Sequence, residues 1–342
     1  MSRILVHGTG AVSAAGWGVP ALRDAIETKS PLPTSSMVRP GWTEPLRVRP
    51  VPPPPQRPVF LNHPRLRRAS VLTQHVVAAS VEALGEDLGR VQSGELRLGI
   101  VVCSMPGCVA YSRRFYEEVL DDPSTASPLI FPETVFNAPA SHLGAFLASN
   151  VVSYTLVGDD SAFIMGLAVA AGWLSGGDVD ACLVIGAEEL DWIVADAMRL
   201  FQRDTVQTGG SGALYLKREK FPTALAELSL ITDAFLFRSS VSQADAARDM
   251  REQLPACDVR QLLCLGTQGL PRADKVELAA WADWDRARLA PKQVFGEAFT
   301  ASAAWQTVLA CDALNQNRFD AANVSVVGAN QQAIGARFVR AE

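Results

Sequence analysis

Two acidic residues and a serine stand directly before the most apolar helical stretch of the chain. Asp159, Asp160 and Ser161 precede Ala162–Leu174, a run that is apolar around its whole helical circumference. A carboxylate in this position accepts hydrogen bonds from free N–H groups and complements the helix dipole. We therefore expect Asp160 to cap the helix and Asp159 to be a second capping or surface carboxylate. Ser161 is the candidate nucleophile at the same helix end.

Further charged residues lie near the end of the sequence. Lys292 and Glu297 are five residues apart, and Asp274 and Glu277 precede them. The lysine could pair with either Glu277 or Glu297. We expect a structural salt bridge at this place.

Composition and charge exclude several classes of protein. The 342 residues are 48% hydrophobic and 20% charged, which suits one large or two fused α/β domains. A net charge of −5 predicts no nucleic-acid surface. No apolar stretch reaches the roughly 18 residues of a membrane span, and no signal-peptide core is present. The six cysteines form no CxxC pair and are typical of reduced core thiols. We expect a cytoplasmic protein without a metal or cofactor.

Short apolar runs alternate with longer helical stretches, which predicts a doubly wound α/β fold with layered helices. The first strands are expected at Ile4–Val6, Leu98–Cys103 and Ala181–Ile185. A second half is expected to begin at the glycine-rich stretch 209–212. Its elements are predicted at Ala213–Leu216, Ala226–Thr232, Leu262–Leu265, a helix over Ala303–Leu314 and a last strand at Val324–Val327.

Two helices of the first half have clear sequence signals. Ser70 is a suitable N-cap for a helix whose apolar residues Leu72, Val76 and Ala79 recur at helical spacing. The run Ala162–Leu174 predicts a helix buried on all sides, in the centre of a large fold.

Six features in order along the chain resemble the β-ketoacyl synthases, a family with the thiolase fold. They are Gly8–Ser13 with Gly16; Tyr154–Ser161 with the apolar helix and Gly186–Glu189; Gly209–Leu216; Asp274 with Glu277; Lys292 before Gly296; and Gly328–Asn330. As a dinucleotide motif the first is weak, because Ser13 replaces its third glycine. The resemblance implies a thiolase-like α-β-α-β-α fold with two pseudo-duplicated halves, here 1–208 and 209–342.

The same resemblance locates three positions at which the family is catalytic. A cysteine there takes the acyl chain, and two histidines stabilise the enolate left by decarboxylation. The matching residues are Asp160 for the cysteine and Gly266 and Glu297 for the histidines, with Lys292 and Glu277 as retained neighbours. A carboxylate could form only a labile anhydride, glycine offers no donor, and an ionised glutamate repels an enolate. Since one lost donor costs about 10²–10³ in rate, no condensing activity is expected.

The resemblance therefore implies a catalytically silent subunit similar to a chain-length factor of polyketide, polyene or fatty-acid-type biosynthesis. Such a subunit pairs with an active ketosynthase and shapes the tunnel in which the acyl chain grows. The expected interface is the strand around Tyr154–Val157 with the neighbouring segment Phe136–Leu143, which contains His142. An acyl carrier protein would bind transiently.

Two other functions stay open. Asp160 and Glu297 could converge as the family's missing residues do, and a buried carboxylate pair would run acid–base chemistry on an acyl thioester or another carbonyl compound. Alternatively, the chain is a homodimeric protein that holds an acyl chain unchanged. The sequence distinguishes neither a homodimer from a heterodimer nor one product from another.

Overall fold

Strands and helices alternate along the chain, as the apolar runs predict. The computed structural model describes residues 3–148, 151–218, 224–256 and 260–341. The strands are β1 Ile4–Ser13, β2 Gly16–Trp17, β3 Ser35–Met37, β4 Leu46–Arg49, β5 Leu98–Ser104, β6 Val152–Val157, β7 Ala181–Glu188, β8 Gln207–Thr208, β9 Gly210–Lys217, β10 Ala226–Ile231, β11 Phe235–Leu236, β12 Gln261–Cys264, β13 Ala287–Leu289, β14 Ala321–Val327 and β15 Gln332–Val339. The α-helices are α1 Val19–Glu27, α2 Val71–Leu84, α3 Leu88–Gln92, α4 Val109–Asp121, α5 Ala138–Leu147, α6 Ser161–Gly176, α7 Trp192–Arg199, α8 Ser240–Gln253, α9 Lys275–Ala280, α10 Pro291–Phe295 and α11 Phe299–Asn315.

The main sheet repeats one topology twice. The first repeat has the strand order β1-β9-β7-β5-β6, and the second has the order β10-β15-β14-β12-β13. In each repeat the first two pairings are antiparallel and the last two are parallel. The antiparallel pairing of β1 with β10 joins the repeats edge to edge. The expected pseudo-duplication is thus confirmed in the pairing of the strands.

The strand β9 is a member of the first repeat, because it pairs with β1 and β7. We therefore propose the division between the halves at the connection from Lys217 to Ala226, whereas the sequence suggested residues 208 and 209. The glycines near residue 209 have another role. A Cβ added to Gly212 would lie 2.7 Å from the Cβ of Ala304, so this glycine lets α11 pack closely on β9.

Helices form three layers around the two halves of the sheet. The central layer contains α6 and α11, whose apolar side chains share one core with strands of both repeats. On the outer face of the first repeat lie α2 and α5. The outer face of the second repeat is covered by α8 and α9. This arrangement is the expected α-β-α-β-α layering, and it places the ends of α6 and α11 close together.

The opening glycines serve the packing of α2 on β1. A Cβ added to Gly8 or Gly10 would lie 1.9 Å from the carbonyl oxygen of Ala83 or 2.0 Å from that of Ala79. The strand can therefore approach the helix backbone only because these residues have no side chain. The predicted N-cap of α2 is confirmed, since the Ser70 hydroxyl accepts a hydrogen bond from the backbone N–H of Thr73 at 3.1 Å.

The helix α6 is not buried on all sides, contrary to the expectation from its apolar sequence. Phe163 and Leu167 are fully buried against the sheet. Gly172 is exposed, however, and Val169 and Trp173 are only half-buried. The unburied face adjoins β6, where the Trp173 ring meets the Tyr154 ring edge-on at 5.7 Å. No helix among the described residues is long and apolar enough to cross a membrane.

The prediction of Val324–Val327 as the last strand was wrong, because β15 follows it and lies between β14 and β10. Its sequence contains Arg337, which is buried and donates hydrogen bonds to Asn323 Oδ1 at 3.1 Å and to the carbonyl oxygen of Pro255 at 3.0 Å. The buried charge interrupts the apolar pattern that marks the other central strands.

Candidate active site

The end of β6 and the start of α6 position the two aspartates. Asp159 Oδ1 accepts hydrogen bonds from the backbone N–H of Ser161 at 3.1 Å and from its hydroxyl at 2.6 Å. Asp159 therefore caps the helix, although it is buried and not a surface carboxylate. Asp160 makes no side-chain capping hydrogen bond, so the capping role expected for it was wrong. Its carboxylate is directed to a different partner.

That partner is Lys292, which lies between two carboxylates. Its ammonium group donates hydrogen bonds to Asp160 Oδ2 and to Glu297 Oε2, the latter at 2.7 Å. The three side chains are no more than 8% exposed. We call Asp160, Lys292 and Glu297 the ionic triad. The expected pairing of Lys292 with Glu297 is present, and Asp160 is its second partner.

The Glu297 carboxylate is also held by neutral donors. Its Oε1 accepts from the backbone N–H of Phe299 at 2.8 Å and from the Ser302 hydroxyl at 3.4 Å. Its Oε2 accepts from the Gln268 amide at 2.8 Å. Gln268 in turn accepts a hydrogen bond from the Thr205 hydroxyl at 2.9 Å. The sequence analysis did not identify Gln268 as a residue of this site.

Burial and charge set the protonation of the triad. The pKa of Asp160 is raised, first by burial and then by the neighbouring Glu297 carboxylate, while Lys292 opposes the shift. Burial alone would lower the pKa of Lys292, but the two carboxylates outweigh it and raise the pKa above its ordinary value. The lysine is therefore a permanent cation and not an amine nucleophile. The raised pKa of Asp160 favours a proton on this carboxyl group.

Gly266 and Glu277 form a separate pair beside the triad. The backbone N–H of Gly266 donates to Glu277 Oε1 at 3.2 Å, and the Ser325 hydroxyl donates to the same oxygen at 2.6 Å. Burial raises the pKa of Glu277 to about 7, against these two hydrogen bonds. A Cβ added to Gly266 would lie 3.3 Å from Glu277 Oε2 and 3.5 Å from the amide nitrogen of Gln306. Glu277 and Gln306 thus flank the space next to this glycine.

The turn at Gly328–Asn330 closes over the start of α6. The backbone N–H of Asn330 donates to Asp159 Oδ2 at 3.0 Å, and the Gln332 amide donates to the Ser161 hydroxyl at 3.0 Å. Ser161 thus contacts a carboxylate and an amide, and no histidine is among its hydrogen-bond partners in the described part of the chain. His142 instead pairs with Glu133 at 2.8 Å. The serine therefore has a carboxylate partner, Asp159, and lacks the histidine partner of a Ser–His pair among the described residues.

The cysteines that the structure describes are all buried and free. Burial raises the pKa of Cys108 and of Cys182 to about 12 in each case, and it raises the pKa of Cys103 further. These thiols are core residues, as expected, and not thiolate nucleophiles. Cys257 lies outside the described residues. Among residues 3–148, 151–218, 224–256 and 260–341, no three His, Cys, Asp or Glu side chains are grouped to hold a metal ion.

Comparison with known proteins establishes the fold. The sequence matches no protein-family model and no curated protein. The ishigamide ketosynthase/chain length factor aligns over 100% of both chains with a TM-score of 0.81 and 15% identity. A β-ketoacyl synthase from Burkholderia phymatum STM815 gives the same values. A type II polyketide synthase acyl-carrier protein in complex with its ketosynthase, bound to the hexaketide, aligns over 99% of both chains with a TM-score of 0.80 and 15% identity. The chain therefore has the thiolase-like fold of the β-ketoacyl synthases, as the sequence resemblance implied.

Proposed function

We propose that this chain is a non-condensing, ketosynthase-like subunit that pairs with an active β-ketoacyl synthase, in the manner of a chain-length factor. The observation that carries the proposal is the ionic triad. Asp160 and Glu297 stand at two positions that the family resemblance assigns to catalytic groups, and Lys292 bridges them in a buried site. The side chains of Asp160 and Glu297 supply neither a thiolate nor an enolate-stabilising donor. The side chains instead connect the ends of the two central helices.

An unpaired sheet edge supports the pairing with a second subunit. The strand β6 lies at the end of the main sheet, and its outer edge has no strand partner among the described residues. Val152, Tyr154 and Val157 on this strand are 50%, 57% and 58% exposed, and Phe136 near it is 40% exposed. Exposed apolar edge strands are sites of pairing with another chain. The half-buried apolar face of α6 beside β6 extends the same surface.

The structural neighbours are consistent with this role. One is a ketosynthase/chain length factor, and another is a ketosynthase in complex with its acyl-carrier protein. We infer by analogy that an acyl carrier protein delivers the growing chain to the pair and dissociates again. In this assembly the partner would carry the chemistry, and the present chain would stabilise it and shape the acyl tunnel of a polyketide or fatty-acid-type pathway.

A second candidate is an enzyme that uses Asp160 and Glu297 for acid–base chemistry. It is favoured by the convergence of the two carboxylates on Lys292 and by the raised pKa of Asp160. Against it, both Glu297 oxygens are already engaged by Lys292, Gln268 and backbone or hydroxyl donors. The Glu297 carboxylate therefore has no free oxygen with which to accept a proton from a substrate.

One substitution separates the two candidates. Asp160→Asn keeps the shape of the side chain and leaves Lys292 paired with Glu297. In a reconstituted pair with a ketosynthase from the same organism, we expect this variant to form product at the wild-type rate. Replacement of the partner's active-site cysteine by alanine is the matched control and should abolish product. An equally complete loss with Asp160→Asn would instead place chemistry in this chain.

A further inference from the structure

A cavity of about 770 Å³ lies between α1 of the first half and elements of the second half. It is formed between α1, β12, β13, α10 and α11. Its apolar wall consists of Ile26, Leu262, Leu265, Leu289, Val294 and Leu309. A volume of this size is within the range of about 300–1,000 Å³ that is usual for small-molecule sites. The shape and chemistry of the wall suit an alkyl chain.

No residue of the ionic triad lines the cavity. Lys292 and Gln293 are neighbours in α10, but only Gln293 lines the cavity. The Gln293 amide donates to the Thr267 hydroxyl at 3.3 Å, and both residues belong to the cavity wall. This hydrogen bond connects two parts of the cavity wall.

The charged residues around the cavity are not balanced. Asp312 is paired with Arg23, and Glu27 is paired with Arg318 at 2.9 Å. Lys29 and Arg288 also line the cavity, and within the described residues neither has a carboxylate partner. The two pairs cancel, so the cavity carries an excess of two positive charges. An anionic group at its mouth would complement this excess.

The Arg288 guanidinium is held in place by its own neighbours. It donates to the backbone carbonyl oxygens of Trp281 at 2.8 Å and of Trp284 at 2.6 Å. Those contacts use one nitrogen and are made to neutral acceptors, so the positive charge is not neutralised. Lys29 is exposed beside the cavity and has no side-chain restraint of this kind among the described residues.

We propose that this cavity binds an amphipathic anion with a single alkyl chain, whose carboxylate or phosphate group lies near Lys29 and Arg288. The alkyl chain contacts the leucine-rich wall between β12 and α11. The site is independent of the proposed pairing with a ketosynthase, since none of its residues lies on β6 or in the ionic triad. If experiments contradict one of these two proposals, the other is unaffected.

Isothermal titration calorimetry of the full chain with dodecanoate, hexanoate and dodecyltrimethylammonium tests the proposal. Dodecanoate is expected to bind, with an affinity that falls by roughly fourfold for each methylene removed. The ammonium compound has the same chain with the opposite charge and should bind much more weakly. Dodecyl phosphate should bind like dodecanoate if only the charge of the head group matters, and more weakly if the site selects a carboxylate.

Two variants with a matched control locate the site. Ala290→Trp fills the cavity and should weaken dodecanoate binding by at least about tenfold. Ala282→Trp is the control, because Ala282 is exposed and does not line the cavity. Lys29→Asn removes one charge and suits the left-handed backbone at this position (φ 54°). It should weaken dodecanoate binding by about fivefold without altering the fold.

Three results would overturn the proposal. One is the absence of binding of dodecanoate and dodecyl phosphate to the wild-type chain. Another is equal affinity for the alkyl anion and the alkyl cation. The third is dodecanoate binding that Ala290→Trp and Ala282→Trp affect to the same extent. If Ala290→Trp does not fold, the response to Lys29→Asn decides, since unchanged affinity in that variant also contradicts the site.

Discussion

Lys292 donates a buried hydrogen bond to Asp160, a residue 132 positions earlier in the chain. The contact joins the start of α6, the central helix of the first repeat, to α10, which leads into the central helix of the second. Both residues lie at positions where the family resemblance expects active-site groups. This buried interaction thus connects the two halves of the fold.

The first prediction concerns the lysine of the ionic triad. Lys292→Met leaves two buried carboxylates without their cation and should lower the free energy of unfolding by about 3–5 kcal/mol at neutral pH. Adding Asp160→Asn to this variant removes one of the two buried carboxyl groups and should restore part of the loss. Urea denaturation measures both, with the exposed Lys275→Met as control. Wild-type stability in Lys292→Met would contradict the claim that the lysine stabilises the two buried carboxyl groups.

A second prediction uses two glycines of α6. A Cβ added to Gly166 would lie 2.8 Å from the Cys103 sulfur and 3.1 Å from Val184, whereas one added to Gly172 meets no atom within 4 Å. Gly166→Ala should therefore destabilise the chain by about 1–3 kcal/mol. Gly172→Ala should stabilise it by up to about 1 kcal/mol, because alanine favours the helix. Thermal unfolding measures the change in stability of both variants. Equal changes would contradict the close packing at Gly166 and the open space beside Gly172.

The third prediction concerns Glu188 at the end of β7. Burial raises its pKa to about 8 although Ser104, Met105 and Thr300 donate hydrogen bonds to it. A carboxyl group whose folded pKa lies above its unfolded value stabilises the fold fully below the unfolded pKa. That stabilisation is lost as the pH rises towards the folded pKa. Between about pH 4.5 and 8 the wild type should therefore lose stability that Glu188→Gln retains.

Urea denaturation at several pH values across this window checks the third prediction. As the pH rises, the free energy of unfolding of Glu188→Gln should increase relative to that of the wild type. The exposed Glu44→Gln is the matched control. A difference that stays constant with pH would show that Glu188 is not protonated in the folded chain at neutral pH.

A fourth prediction concerns the edge strand. Tyr154→Glu places a charge in the centre of the proposed partner surface and should weaken association with the ketosynthase by roughly thirtyfold or more. Leu236→Glu is the matched control, because Leu236 is 75% exposed on β11, remote from β6 along the sheet. Sedimentation velocity gives the affinities, and the thermal stability of each chain alone shows whether it is folded. Equal binding by both variants would exclude β6 from the interface.

The sequence predicted those parts of the molecule that leave local patterns. Ser70 begins α2 as expected, and the apolar run after Ser161 is a helix of the central layer. The strand β15 was missed because a buried arginine interrupts its apolar pattern. The all-apolar sequence of α6 predicted a helix buried on all sides. It did not indicate that one face of this helix is uncovered in the single chain.

Only part of the geometry of the site could be predicted from the sequence. No local spacing relates Asp160 to Lys292, so the family resemblance alone brought the two regions together. It did not indicate that Asp159 would cap α6 and leave Asp160 for the lysine. Gln268 was missed because a glutamine in a loop has no distinctive pattern until its partner is known. Such partners are set by tertiary packing, which single-sequence patterns do not encode.

Co-expression of this chain with a ketosynthase from the same organism, followed by native mass measurement of the purified assembly, tests the central claim most directly. We predict a stable one-to-one heterodimer, with the ketosynthase insoluble or inactive when it is produced alone. A homodimer of this chain that is indifferent to the ketosynthase would contradict the account and favour a self-sufficient acyl-binding protein or an enzyme built on Asp160 and Glu297.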